Sequence, residues 1–215
     1  MPKTTMPGLN KVIKTLIFSD FLLQSGWGLI GPIFAIFITQ QIEGGSLVVI
    51  GFIAASYWFT KSVVQPFIAH FLDVKKGEKD DFKFLIVGLF LANLIPLGYV
   101  FASCLWHIFL LEILRGICMA CVIPSWSGIF TRHIDKGWEA FSWSIESTGV
   151  GLAAAFAAAF GGIMANFLGF RIVFVLVSFF GLMSCFLLLL VRNQLFPKEH
   201  FEPKIPPIEI PKKQF

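Results

Sequence analysis

Six apolar stretches of about twenty residues occupy nearly all of positions 14–192, and the short loops between them carry Lys and Arg almost entirely on alternate sides. About 20 apolar residues are what an α-helix needs to cross the ~30 Å hydrocarbon core of a bilayer. Lipid offers no hydrogen bonds to the backbone, so each stretch must satisfy its own, which makes the spans helices rather than strands. The composition agrees, since 56% of residues are hydrophobic and the mean hydropathy is +0.79. That leaves too little polar surface for a water-soluble domain of this size. The expected fold is an all-α membrane bundle of six transmembrane helices at 15–38, 47–72, 84–103, 106–130, 141–167 and 170–191.

The basic residues set the expected orientation. Lys3, Lys11 and Lys14 precede the first span, Lys75, Lys76, Lys79 and Lys83 follow the second, and Arg132 and Lys136 follow the fourth. The segments 39–46 and 104–105 carry neither Lys nor Arg. Both termini are therefore expected in the cytoplasm, with the chain a multi-pass protein of the cell membrane. The organisation that follows is a cytoplasmic N-terminus at 1–14, a six-helix domain at 15–191 and a Pro-rich cytoplasmic tail at 192–215. The first span is too long for a secretory h-region and lacks a small-residue cleavage site after it, so it reads as a retained helix. Five prolines interleaved with Lys and Glu mark the tail as a solvated, extended segment; a partner-docking strand near anionic lipid is the alternative. Cys104, Cys118, Cys121 and Cys185 lie in or beside spans without a second ligand pair, and read as small buried residues.

Five charged residues break the apolar pattern inside spans: Asp20, Lys61, Glu112, Arg115 and Glu146. Each costs about 2.5–3.5 kcal/mol at a helix centre, so each needs a partner or water. At a rise of ~1.5 Å per residue, Asp20, Lys61 and Glu146 come out about 8–9 Å from the cytoplasmic boundary and can share one layer. Glu112 and Arg115 lie at another level, and their i,i+3 spacing lets them neutralise each other. If Lys61 pairs with one of Asp20 and Glu146, the other is left as a candidate proton site; snorkelling to the interface is the plain alternative. Gln24, Trp27, Gly28 and Gly31 extend a polar, small-residue stripe from Asp20, suited to a wet cavity or to close helix contact. Tyr57 and Gln65 flank Lys61 at i−4 and i+4.

Pro32, Pro66, Pro96 and Pro124 fall within spans, where each removes an intrahelical hydrogen bond and permits a kink. The fifth span holds a dense run of Gly and Ala between Gly149 and Gly162, the pattern of tight helix packing in lipid.

The order of these features resembles the N-terminal half of the major facilitator superfamily (MFS) of transporters. The first span reads Asp20-Phe-Leu-Leu-Gln-Ser-Gly-Trp-Gly-Leu-Ile-Gly-Pro32, and the second ends Gln65-Pro-Phe-Ile-Ala-His-Phe-Leu-Asp73 before a basic loop. This is similar to the superfamily's Gly-x-Leu-x-Asp-Arg-x-Gly loop signature, with Asp73 at the acidic position, Ala69 for the first Gly and Val74 for the Arg. The fourth span carries Arg115-Gly116 and Pro124, similar to the family's Arg-x-x-x-Gly segment, with Glu112 at the expected Arg position. The fifth-to-sixth connection from Phe160 to Phe174 also resembles the family's, without the Gly-Pro of its antiporters.

The resemblance implies alternating-access transport of a small solute, with protons as a coupling ion and no cofactor or enzymatic activity. Asp20, Gln24, Lys61, Gln65, Glu112, Arg115 and Glu146 are then substrate or coupling candidates. A full member has two such halves with the solute between them, which implies a homodimer or a separate six-helix half. A homodimer would bring Asp73 to the positive end of the partner's fifth helix. A non-transporting membrane interaction protein, or a remnant half, is the alternative. The histidines are widely separated and no phosphate loop or nucleophile elbow is present. The net charge of +4 is accounted for by loops and tail, so nucleic acid is not an expected partner.

Overall fold

The computed structural model describes residues 9–75 and 77–195; residues 1–8 and the Pro-rich segment from 196 onward lie outside them. Among the described residues seven α-helices follow in chain order: α1 (Lys11–Ile30), α2 (Phe34–Gln41), α3 (Leu47–Lys75), α4 (Glu78–Val100), α5 (Leu105–His133), α6 (Glu139–Leu168) and α7 (Phe170–Leu195). With α1 and α2 counted as one segment, six are long and apolar enough to cross a membrane. Among the described residues the single β-type pairing is an isolated bridge between Glu43 and Cys104, which ties two loops at one end of the bundle.

The span boundaries shift by up to six residues, most at the third, expected at 84–103 and found at Glu78–Val100, and the first and last spans differ in kind. The first span is not one helix over 15–38: it starts at Lys11 and is interrupted after Ile30 by a turn at residues 31–33. Pro32 lacks an N–H and follows a glycine, so two poor helix formers fall together. Pro66, Pro96 and Pro124 stand alone and are absorbed within continuous helices. The last helix runs through Leu195, which makes Arg192 helical rather than the first residue of the tail.

The helices pack as a ring. α1 lies between α6 and α7, α4 lies between α7 and α5, and α3 rests on the far side of α5. Going round, the order is α6, α1, α7, α4, α5, α3, and the two end helices are the least buried of the six segments. One core cluster joins Ile33, Phe37, Ile53, Tyr99, Ile108 and Phe174 at the end of the Glu43–Cys104 bridge. A second joins Ile13, Leu16, Leu85, Phe130 and Leu188 at the opposite end, where the chain enters.

That entry end is fastened by polar contacts. The Asn10 side chain accepts from the Ile13 N–H at 2.9 Å, capping α1, while its Nδ2 donates to the His133 carbonyl at 2.6 Å. An N-cap of this kind satisfies one of the donors a helix start leaves free. Glu78, Asp80 and Asp81 fill the first turn of α4, where acidic groups suit the positive end of the helix dipole. Arg132, in the last turn of α5, donates to Glu78 at 3.0 Å and to Asp81, which clamps the two helix ends together.

Small residues let α1 approach its neighbours closely. A Cβ at Gly28 would lie 2.7 Å from the Ala157 Cβ, and one at Gly161 would run into the backbone of Leu29. Ala153, Ala157 and Gly161 form the buried stripe of α6. Gly151 and Gly162, on other faces of α6, have nothing within 4 Å of an added Cβ. Gly161→Val should therefore destabilise the purified protein in detergent by about 1–3 kcal/mol, as overpacking does, while Gly149→Ala, whose added Cβ meets nothing closer than Ile17 at 3.8 Å, does not lower the melting temperature. Equal effects of the two changes would contradict this packing.

Candidate functional site

Two cavities open within the ring, and they share the side chains of Leu23, Gln24 and Met119 as a common wall. The larger, about 320 Å³, lies among α1, α2, α3, α4 and α5, and its polar wall is built on α5. There Glu112 is 2% exposed and takes three hydrogen bonds. Arg115 donates from Nε at 3.0 Å and from Nη2 at 2.5 Å to Oε2, and the Tyr99 hydroxyl donates to Oε1. The i,i+3 spacing on one helix makes the Arg–Glu pair, as the sequence leads one to expect. Tyr99, 1% exposed and brought by α4, completes it.

Two aromatic rings approach the guanidinium. It stands 3.8 Å from the Tyr57 ring centroid and 4.7 Å from that of Trp27. Such contacts favour Arg over Lys, because a planar cation can stack. Trp27 is itself fixed: its Nε1 donates to Asn93 Oδ1 at 3.1 Å, and Asn93 Nδ2 donates to the Leu89 carbonyl at 2.8 Å. α7 passes against this amide at Gly181, where any Cβ would collide with the Asn93 side chain. α5 approaches α3 through Gly116, whose added Cβ would lie 2.9 Å from the Tyr57 carbonyl.

The smaller cavity, about 190 Å³, lies toward the entry end among α1, α4, α5, α6 and α7. Asp20 of α1 and Glu146 of α6 both line it, so the structure brings these two carboxyls to one cavity. Trp126 also lines this cavity, and its buried Nε1 has no hydrogen-bond partner among the described residues. Ser19 and Ser184 link α1 to α7 beside it, their hydroxyls 2.8 Å apart.

Lys61 makes no ion pair with Asp20 or Glu146 among the described residues. The helix order sets α3 at one end of the ring and α6 at the other, so the close approach at Gly116 carries Lys61 toward Arg115 instead. Its Nζ stands 4.6 Å over the Trp58 ring, and Arg115 is the charge that acts on it. Gln24 lies between the cavities as part of both walls, whereas Gln65 lines neither. Asp73 is exposed in the last turn of α3, within electrostatic reach of Asp81. Sequence reasoning missed Tyr99, Asn93 and Trp126. Tyr99 and Asn93 do carry a signal, since each is a polar residue inside an apolar span.

The ring of six segments, its first one broken at a proline, and a charged pair on the fourth coincide with a family-level match. The sequence model described as Major Facilitator Superfamily matches residues 16–213. The chain belongs to the Major Facilitator Superfamily. An uncharacterized MFS-type transporter of Methanocaldococcus jannaschii is 26% identical over 179 residues, which cover 83% of this chain and 45% of that protein. The chain thus spans less than half the length of this curated relative. Membership of the MFS and six membrane-length apolar helices make it an integral, multi-pass membrane protein, and the family points to transport rather than enzymatic catalysis.

The Tyr99 bond to Glu112 gives a direct test of the buried network. Tyr99→Phe leaves Oε1 without its donor, and a buried acceptor stripped in this way costs about 1–3 kcal/mol. The expected outcome is a lower melting temperature in detergent. The loss should disappear in a background of Glu112→Leu with Arg115→Met, where no buried acceptor needs the hydroxyl.

Proposed function

We propose that the chain moves a small solute across a cell membrane by alternating access, holding the solute in the larger cavity and a coupling proton on the Asp20–Glu146 pair. The observation that carries this reading is the wall common to both cavities. Gln24 lies about one helical turn from Asp20 and faces both spaces, so a change in charge at the carboxyl pair is felt beside the solute. Loss of the shared proton sets two negative charges against each other across the α1–α6 seam, and their repulsion favours separation of those helices. Both termini lie on the cytoplasmic side in this reading, following the Lys-rich loops.

The second six-helix half docks on the open side of the ring, between α3 and α6. The two helices that bound it are the least buried of the segments, and α6 carries an exposed stripe in which Thr148, Gly151, Ala155, Ala158 and Gly162 recur at helical spacing. Small residues so arranged accept a second helix closely. A second copy of the chain is the favoured occupant, because one self-complementary face closes an assembly with twofold symmetry.

Reconstitution in liposomes with an imposed pH gradient tests the coupling. Asp20→Asn and Glu146→Gln should each lower gradient-driven uptake at least tenfold while leaving solute exchange at equal pH largely intact. Gradient-driven uptake that survives both changes would refute the proton assignment.

A further inference from the structure

Glu112 and Arg115 neutralise each other in the wall of the larger cavity, and Lys61, which is not part of that wall and makes no ion pair within 4 Å among the described residues, adds positive charge on the α3 side of Arg115. The guanidinium is also only half used. Glu112 occupies its Nε–Nη2 edge, so two of five N–H groups are engaged. Nη1 has no hydrogen-bond partner among the described residues, and the Arg115 side chain is 21% exposed where it lines the cavity.

A planar fork with a free edge suits the two oxygens of a carboxylate. Apart from Gln24 and the Tyr57 hydroxyl, the rest of the wall is apolar and ring-rich, with Trp27, Phe34, Tyr57 and Tyr99 around the space. Trp27 and Tyr99 are already committed through their polar atoms to Asn93 and Glu112, so they offer ring surface rather than hydrogen bonds. We infer that the solute is a small organic monocarboxylate, its carboxylate on the open edge of Arg115 and its apolar body among these rings. The open guanidinium edge takes one carboxylate and the wall offers no second cation, which favours a monocarboxylate over a dianion, while the positive charge of Lys61 near Arg115 favours an anion over a neutral solute or a cation. This inference rests on the reading of the larger cavity as the solute site.

Equilibrium titration calorimetry on the full chain in lipid nanodiscs tests it without requiring transport. The probes are acetate, benzoate and indole-3-acetate, with benzamide and benzylamine as the neutral and cationic counterparts of benzoate. At least one aromatic carboxylate should bind, at least tenfold more tightly than benzamide, with benzylamine weaker still. Lys61→Gln, which breaks no ion pair, should weaken that carboxylate about tenfold while the helical spectrum and melting temperature stay unchanged. Arg115→Lys should abolish the preference for carboxylate over amide. No binding by any carboxylate to folded protein, or equal binding of benzoate and benzamide, would overturn the inference. Carboxylate binding without uptake in liposomes would instead sink the transport reading and leave the site standing. Uptake of uncharged solutes with no carboxylate binding would do the reverse.

Discussion

The Glu112–Arg115 pair governs the interior of this bundle, because two charges buried within one turn of α5 dictate what the facing helices must supply. Each would be expensive alone in a membrane-length helix, and together they still leave hydrogen-bonding capacity to satisfy. α4 answers with the Tyr99 hydroxyl, while α1 and α3 answer with the Trp27 and Tyr57 rings. Asn93 then fixes Trp27 and itself receives the close approach of α7 at Gly181. Four helices are thus held in register around one ion pair by directional contacts. Apolar side chains alone do this poorly in lipid, which is as apolar as they are.

The remaining charges sort by helix order. α3 and α6 sit at opposite ends of the ring, so the cation of α3 and the carboxyl of α6 belong to different neighbourhoods. Lys61 adds positive charge beside Arg115, and Glu146 adds acid beside Asp20. The chain therefore separates a cationic region from an acidic one along α1, with Gln24 between them. Separation of this kind needs no long-range signal, since the two regions are joined by adjacent side chains of one helix.

The six segments and the Glu112–Arg115 pair were legible because both depend on local spacing: apolar length in one case and i,i+3 geometry in the other. Partners between helices were not. Depth along the helices allowed Lys61 to share a layer with Asp20 and Glu146, but depth says nothing about position around the ring, and among the described residues Lys61 makes an ion pair with neither. Tyr99 and Asn93 were overlooked because neither is charged, although each is a polar group that an apolar span has to satisfy. The break in the first span was under-read for a related reason. Four prolines look alike in a sequence, and what distinguishes Pro32 is that it directly follows Gly31 in a stretch already weak as a helix.

That break has a mechanical meaning. Across residues 31–33, one backbone hydrogen bond, from the Ile33 N–H to the Ile30 carbonyl at 2.9 Å, spans the gap between α1 and α2. Pro32 has no N–H, so the Gly28 carbonyl lacks the donor that a continuous helix would offer it. Two stiff rods meet at a joint fastened by a single bond, and Ile30, Gly31 and Phe34, on either side of it, are part of the larger cavity's wall. A change in the angle between the rods alters the volume and the mouth of that cavity, and in the backbone it breaks about one hydrogen bond, on the order of 1 kcal/mol, beside the repacking of Ile33 and Phe37 in the core. In the unbroken helices the same bend would have to distort a full ladder.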